Sequence, residues 1–127
     1  MRYRESWMNP SASLNNDLQE MLPLSPAIFF VLFALADGEK HGYLIMQQVK
    51  VLSDGKLQMG PATLYTTIQK LADQSLIEEV ENDSRDRRRN YRLTRTGRQL
   101  LNAEFSRQNE VLLLAKAKKV FPLRGKV

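Results

Sequence analysis

Apolar and polar residues alternate along this chain with two periods, and the change of period marks its elements. Leu14, Leu18, Met21 and Leu22 fall at i, i+4, i+7 and i+8, which predicts a short helix opened by Ser13 and ended by Pro23. Ser25-Pro26 is a second start, an N-cap followed by proline in the first turn. Ile28, Phe29, Leu32, Phe33, Leu35 and Ala36 follow, and Gly38 suits the position just past the helix end. Phe30 and Val31 make this segment apolar all round, so it must be covered on every side, by its own domain or by a partner. His41-Gly42-Tyr43 opens a third helix with Ile45, Val49 and Leu52 as its core stripe and Met46 beside it; Ser53-Asp54-Gly55 stops it.

The stretch from Gly60 to Leu71 organises the rest. Pro61 fits a first helical turn, where its missing N–H costs nothing. Leu64, Ile68 and Leu71 form one apolar stripe, and the opposite face shows Thr63, Thr66, Thr67 and Lys70 with Tyr65 at its edge. That face carries no carboxylate, which suits a phosphate-lined groove as well as an ordinary amphipathic core helix. The period then drops to two. Glu78 to Glu81 and Asn90 to Leu93 predict a hairpin, with Asn82-Asp83-Ser84 forming the turn and a charged loop from Arg85 to Asn90. Thr94 caps a last long helix that ends before Pro122 and bears two apolar strips, Leu101, Phe105, Leu112 and Ala115 on one, Leu100, Ala103, Val111 and Leu114 on the other. Such a helix, about 25 residues and some 37 Å long at 1.5 Å per residue, overhangs a small domain. Pairing with the same helix of a second subunit is the simplest way to bury the spare strip.

Three helices followed by a hairpin is the winged helix-turn-helix plan, in which the second helix of the motif enters the major groove by its N-terminal end. The expected fold is therefore mainly α with a small β-hairpin. It divides into an arm and short helix over 1–23, a winged helix-turn-helix domain over 24–93, and a dimerisation helix and tail over 94–127. With 127 residues, one domain with a real core needs no metal or disulfide staple. Cysteine is absent, which excludes disulfides and thiolate zinc sites. The longest apolar run, Ala27 to Ala36, is too short for a bilayer span of roughly 20 residues. No signal-peptide pattern follows Arg2 and Arg4, so a soluble cytoplasmic protein is expected. His41 is the only histidine and has no nucleophile, base or metal ligand at recognisable spacing; a helix cap or packed imidazole is its expected role. No catalytic residue, cofactor site or metal site is expected.

Net charge changes the picture. At +5 the chain favours polyanions. Arg85, Arg87, Arg88, Arg89, Arg92, Arg95 and Arg98 face a single acid, Asp86, in that interval. Guanidinium binds phosphate bidentately and enters narrow minor grooves. Glu78, Glu79, Glu81 and Asp83 can neutralise part of the cluster across the strands, Arg92 first, because it lies within the strand; Arg87, Arg88 and Arg89 lie further out.

His41-Gly42-Tyr43, then Gly60-Pro61-Ala62-Thr63-Leu64-Tyr65, then Arg89 to Gly97, resemble the signature of PadR-type transcriptional regulators over about Leu24 to Phe105. The resemblance implies a homodimer that binds double-stranded DNA at a palindromic operator and represses until a small molecule or other signal releases it. It places the DNA-reading helix at Pro61 to Leu71, with Pro61, Ala62, Thr63, Tyr65, Thr66 and Lys70 as contacts and Tyr65 on phosphate. Arg87, Arg88 and Arg89 are the expected wing contacts, and Leu101, Phe105, Leu112 and Ala115 the expected dimer interface. Some short-type members hold flat aromatic compounds on a tryptophan of the last helix. This chain has none there: its single tryptophan is Trp7, and Phe105 is the aromatic of that helix. The alternative is a winged-helix protein-interaction module with no operator of its own.

Overall fold

The structure, a computed structural model, describes residues 16–81 and 88–121. The N-terminal arm, Ser13, Leu14, the hairpin turn with Arg85 and Arg87, and the tail after residue 121 lie outside the described residues. Among the described residues, five helices and three short strands run in the order α1 (Asn16–Gln19), α2 (Pro26–Ala34), β1 (Lys40–His41), α3 (Gly42–Leu52), α4 (Pro61–Asp73), β2 (Ile77–Val80), β3 (Asn90–Leu93) and α5 (Arg95–Ala117).

The starts and stops follow from local chemistry. Ser25 caps α2 by accepting from the Ile28 N–H, and Pro26 occupies its first turn. The helix ends sooner than its glycine suggests. Leu35, Ala36 and Gly38 make i→i−3 hydrogen bonds, so the last turn tightens and Gly38 lies in the following turn with φ of 148°. After α3, Asp54 and Gly55 both take positive φ, and Ser53 locks the loop by accepting from the Leu57 N–H.

The apolar α2 is the centre of the core. It packs on α3, α4 and α5, and Val31 and Leu32 are fully covered. Ile45 and Val49 of α3, Leu64, Ile68 and Leu71 of α4, and Leu100, Leu101 and Ala103 of α5 close around it. Burying each of these valine, leucine and isoleucine side chains contributes about 1.5–3 kcal/mol.

The expected two-stranded hairpin is a three-stranded antiparallel sheet, ordered β1-β3-β2. β1 pairs Lys40 with Tyr91 and His41 with Asn90. A two-residue strand has no periodicity to read, which is why the pattern alone leaves it invisible.

Leu101, one of the expected interface residues, belongs to the hydrophobic core. Leu101 is 1% exposed within the single chain, because both apolar strips of α5 are buried over its first half. The helix is divided along its axis: Leu100, Leu101, Ala103, Glu104 and Ser106 are buried in the chain's own fold, and Val111 to Leu114 are all exposed. Phe105 is half-buried against Phe29 and Phe33, edge to face at 5.6 and 5.1 Å. Leu112 is exposed and Ala115 partly covered.

Candidate nucleic-acid interface

Helix α4 begins at Gly60, which adopts the extended cap conformation but has no side chain to offer the first-turn N–H groups. Its apolar stripe turns inward, and this turns Ala62, Thr63, Tyr65, Thr66 and Lys70 outward; all five are exposed, as is Pro61. The first turn holds no acid. Thr67 bonds back to the Thr63 carbonyl at 2.9 Å, so its hydroxyl is occupied on the helix surface. Further along, Gln69 donates to Asp73 at 2.8 Å.

The end of α4 is joined rigidly to the sheet and to α5. Thr94 donates to the Ser75 carbonyl at 2.6 Å, its N–H reaches the Leu76 carbonyl at 3.1 Å, and its hydroxyl caps α5 by accepting from the Gly97 N–H. A Cβ on Gly97 would stand 1.9 Å from the Leu76 carbonyl oxygen, so only glycine allows this approach.

The wing arginines divide. Arg92 pairs with Glu78, its register partner, at 2.8 Å, as expected of an arginine inside the strand. Arg89 also approaches an acid, Glu79 at 3.8 Å, although both side chains stay more than half exposed. Exposed pairs of this length are worth about 0–1 kcal/mol and yield readily to a better anion. Arg88 points back to the domain, with Nη1 3.2 Å from His41 Nε2. Arg98 is drawn away from the wing, donating to the Ala36 carbonyl at 3.1 Å.

His41, Gly42, Tyr43, Tyr65, Arg88, Arg89 and Tyr91 line a cavity of about 390 Å³ between the first turn of α3, α4 and the wing. His41 Nδ1 caps α3 by accepting from the Leu44 N–H at 3.4 Å, and its ring stacks nearly parallel to Tyr43. Tyr65 lies close over Gly42, where a Cβ would fall 2.2 Å from its hydroxyl. Burial pushes the Tyr91 phenol up and the nearby Glu79 charge adds to this, while a hydrogen bond from Arg89 partly opposes it. The sequence pattern gives His41 as a helix cap or packed imidazole and puts Tyr91 inside the second strand of the hairpin. What joins them is the β1–β3 pairing, whose strand is too short to see beforehand.

Among the described residues no group of His, Asp or Glu side chains could hold a metal ion, and no helix is long and apolar enough to cross a membrane.

The chain is similar to known proteins in sequence and in fold. A protein of 37.1 kDa encoded in transposon TN4556 of Streptomyces fradiae, itself uncharacterized, is 38% identical over 78 residues, 61% of this chain. The chain spans only 21% of that relative's length. In fold, the crystal structure of a PadR family transcription regulator from Clostridium difficile superposes with a TM-score of 0.62 at 16% identity, covering 73% of this chain and 97% of the other. A PadR-like transcription factor from Bacteroides fragilis gives 0.61 at 16% identity, covering 80% and 98%. The family model for the PadR-like transcriptional regulators matches residues 31–103, from the middle of α2 through the sheet into α5. More than half the chain lies within that match, and the chain belongs to the PadR-like family of transcriptional regulators.

Proposed function

We propose that this chain is a sequence-specific DNA-binding regulator that works as a homodimer on a palindromic operator and represses transcription in the cytoplasm. The observation that carries this reading is the exposed outer face of α4, whose first turn holds no acid, beside an arginine-bearing wing. Pro61, Ala62, Thr63, Tyr65, Thr66 and Lys70 meet the major groove and its flanking phosphates. Arg88 and Arg89, with Arg87 beyond the described residues, hold the adjacent backbone. The exposed Val111, Leu112, Leu113 and Leu114 of α5 supply the dimer contact, together with Ala115 and the open side of Phe105. Release by a small molecule or another signal acts through that dimer.

The test is fluorescence anisotropy with the duplex upstream of the coding region, at low and moderate salt, against an unrelated duplex. Affinity is expected to fall with salt while preference for the upstream duplex persists. Arg88→Ala weakens binding to every duplex and lowers the salt slope by about 1, whereas Thr63→Ala relaxes sequence preference. Unchanged binding by both variants refutes these site assignments. The protein-interaction module is the second reading, favoured by the apolar overhang of α5; absence of any DNA shift at low salt selects it.

A further inference from the structure

We propose that Gln69 of α4 reads an adenine in the major groove, its amide held in reading position by Asp73. This role rests on the DNA-binding reading and deepens it, since the adenine belongs to the bound duplex.

Position comes first. Ala62, Thr66, Gln69 and Asp73 recur at i, i+4, i+7 and i+11, so they form one line along α4. All four are exposed, and the buried stripe of Leu64, Ile68 and Leu71 lies on the opposite side. Tyr65 falls to one side of the line, Thr63 and Lys70 to the other. In a helix docked by this face the flanking residues approach the two phosphate rims of the groove, and the line itself faces the base edges. Gln69 lies about 10 Å beyond Ala62 at 1.5 Å per residue, two turns along. A single helix lying in the major groove reads bases over such a span.

Chemistry then singles out Gln69. Bases are told apart in the major groove by their pattern of donors and acceptors, and adenine shows its N6–H donor beside the N7 acceptor. Ala62 has no polar side-chain atom, Thr66 offers a single hydroxyl, and Lys70 only donates. Gln69 is the one side chain of this face that holds a donor and an acceptor in one plane, which match adenine N7 and N6–H as a bidentate pair.

Asp73 decides how the amide is turned. Gln69 Nε2 donates to Asp73 Oδ1 at 2.8 Å. An ionised carboxylate only accepts, so the amide nitrogen and not its oxygen faces the acid. That bond uses one of the two N–H groups, and the second N–H and Oε1 are left for the base. Asp73 is the last residue of α4, about 6 Å beyond Gln69 and away from the helix N-terminus. Its charge therefore stands back from the bases while its hydrogen bond holds the amide. Holding a rotamer-rich side chain before binding spares part of the ordering cost of the contact.

The test selects preferred sequences from a pool of random duplexes with the wild type, Gln69→Ala and Asp73→Ala, and sequencing of the recovered duplexes gives the base preference at every position. Both residues are exposed and alanine favours a helix, so both variants fold, which thermal denaturation checks. The wild type is expected to prefer an A·T pair at one position of each half-site by roughly tenfold or more, the discrimination of a bidentate contact. Gln69→Ala is expected to lose that preference and keep every other. Asp73→Ala is expected to weaken it severalfold at the same position alone; the lost charge alters affinity for all duplexes but not this ratio. A Gln–Asp pair that only supported the helix would lower the melting temperature and leave every base preference unmoved. If Gln69→Ala selects the wild-type sequence at every position, or loses a pair other than A·T, the reading role is overturned while the DNA-binding reading stands. An undiminished A·T preference in Asp73→Ala overturns the positioning role of Asp73. If the wild type recovers no preferred sequence, the sequence-specific reading falls and the role of Gln69 falls with it.

Discussion

Two residues show how much of this fold rests on single atoms. Gly97 passes the Leu76 carbonyl so closely that a methyl group would meet backbone, which cannot swing aside as a flexible side chain does. Gly97→Ala is expected to cost about 2–4 kcal/mol in urea denaturation. At Gly42 the obstacle is the mobile end of Tyr65, so alanine there is tolerated by moving that ring. Glu104 is the second case. It is 2% exposed and accepts from the Leu24 N–H at 3.1 Å, from Arg107 at 2.7 Å and from Gln108 at 2.7 Å. Burial pushes its carboxyl up, but these hydrogen bonds outweigh it and hold the group below the usual range. A lowered folded value means the stabilisation is complete above the ordinary carboxylate range and is lost as pH falls through the folded value. Glu104→Gln keeps an acceptor for Leu24 and gives up the ion pair. It is expected to cost about 1–2 kcal/mol near neutrality, discounted for the partly exposed arginine, and to flatten the acid limb of a stability–pH curve.

Among the elements, most helices can be read from their own residues, because caps and stripes are local. Ser25-Pro26 opens α2, His41 caps α3, Pro61 opens α4 and Thr94 caps α5, each where the sequence places it. Asn90 to Leu93 forms its strand, with Tyr91 buried as the alternation requires. The losses are non-local. β1 exists only because β3 lies beside it, and the burial of Glu104 depends on the Leu24 N–H, which is 80 residues away in sequence. The exposed face of α4 follows from its stripe, whereas the cavity with His41 and Tyr91 depends on strand pairing. In α5 the two strips are real, but they are told apart by position along the axis and not by face. Leu101→Ala is therefore expected to cost about 2–5 kcal/mol at any protein concentration. Leu114→Ala, 65% exposed in the single chain, is expected to lose stability only as concentration rises, since its contacts would come from a second copy. Urea denaturation at two concentrations separates them.

At the scale of the molecule, the apolar overhang of α5 and the polar face of α4 pose one geometric question. Val111, Leu113 and Leu114 are each at least half exposed, and they stand beyond the residues that α5 contributes to its own core. A contiguous apolar patch of this kind marks an interaction surface. If two copies meet there about a two-fold axis, their α4 helices must present to half-sites about one duplex turn, ~34 Å, apart. The overhang then governs affinity without touching DNA, because it sets the distance between two readers and makes the second binding event intramolecular. Val111→Glu with Leu114→Glu places charge at both positions while leaving the buried half of the helix intact. Sedimentation velocity is expected to show the variant shifted from dimer to monomer. Anisotropy is expected to show affinity for a full palindrome reduced by roughly a hundredfold, within the usual range for lost bivalency. Binding to an isolated half-site is expected to change little, because α4 and the wing are untouched. Equal losses on palindrome and half-site would instead mean that the overhang supports the domain itself and not a pairing of two domains.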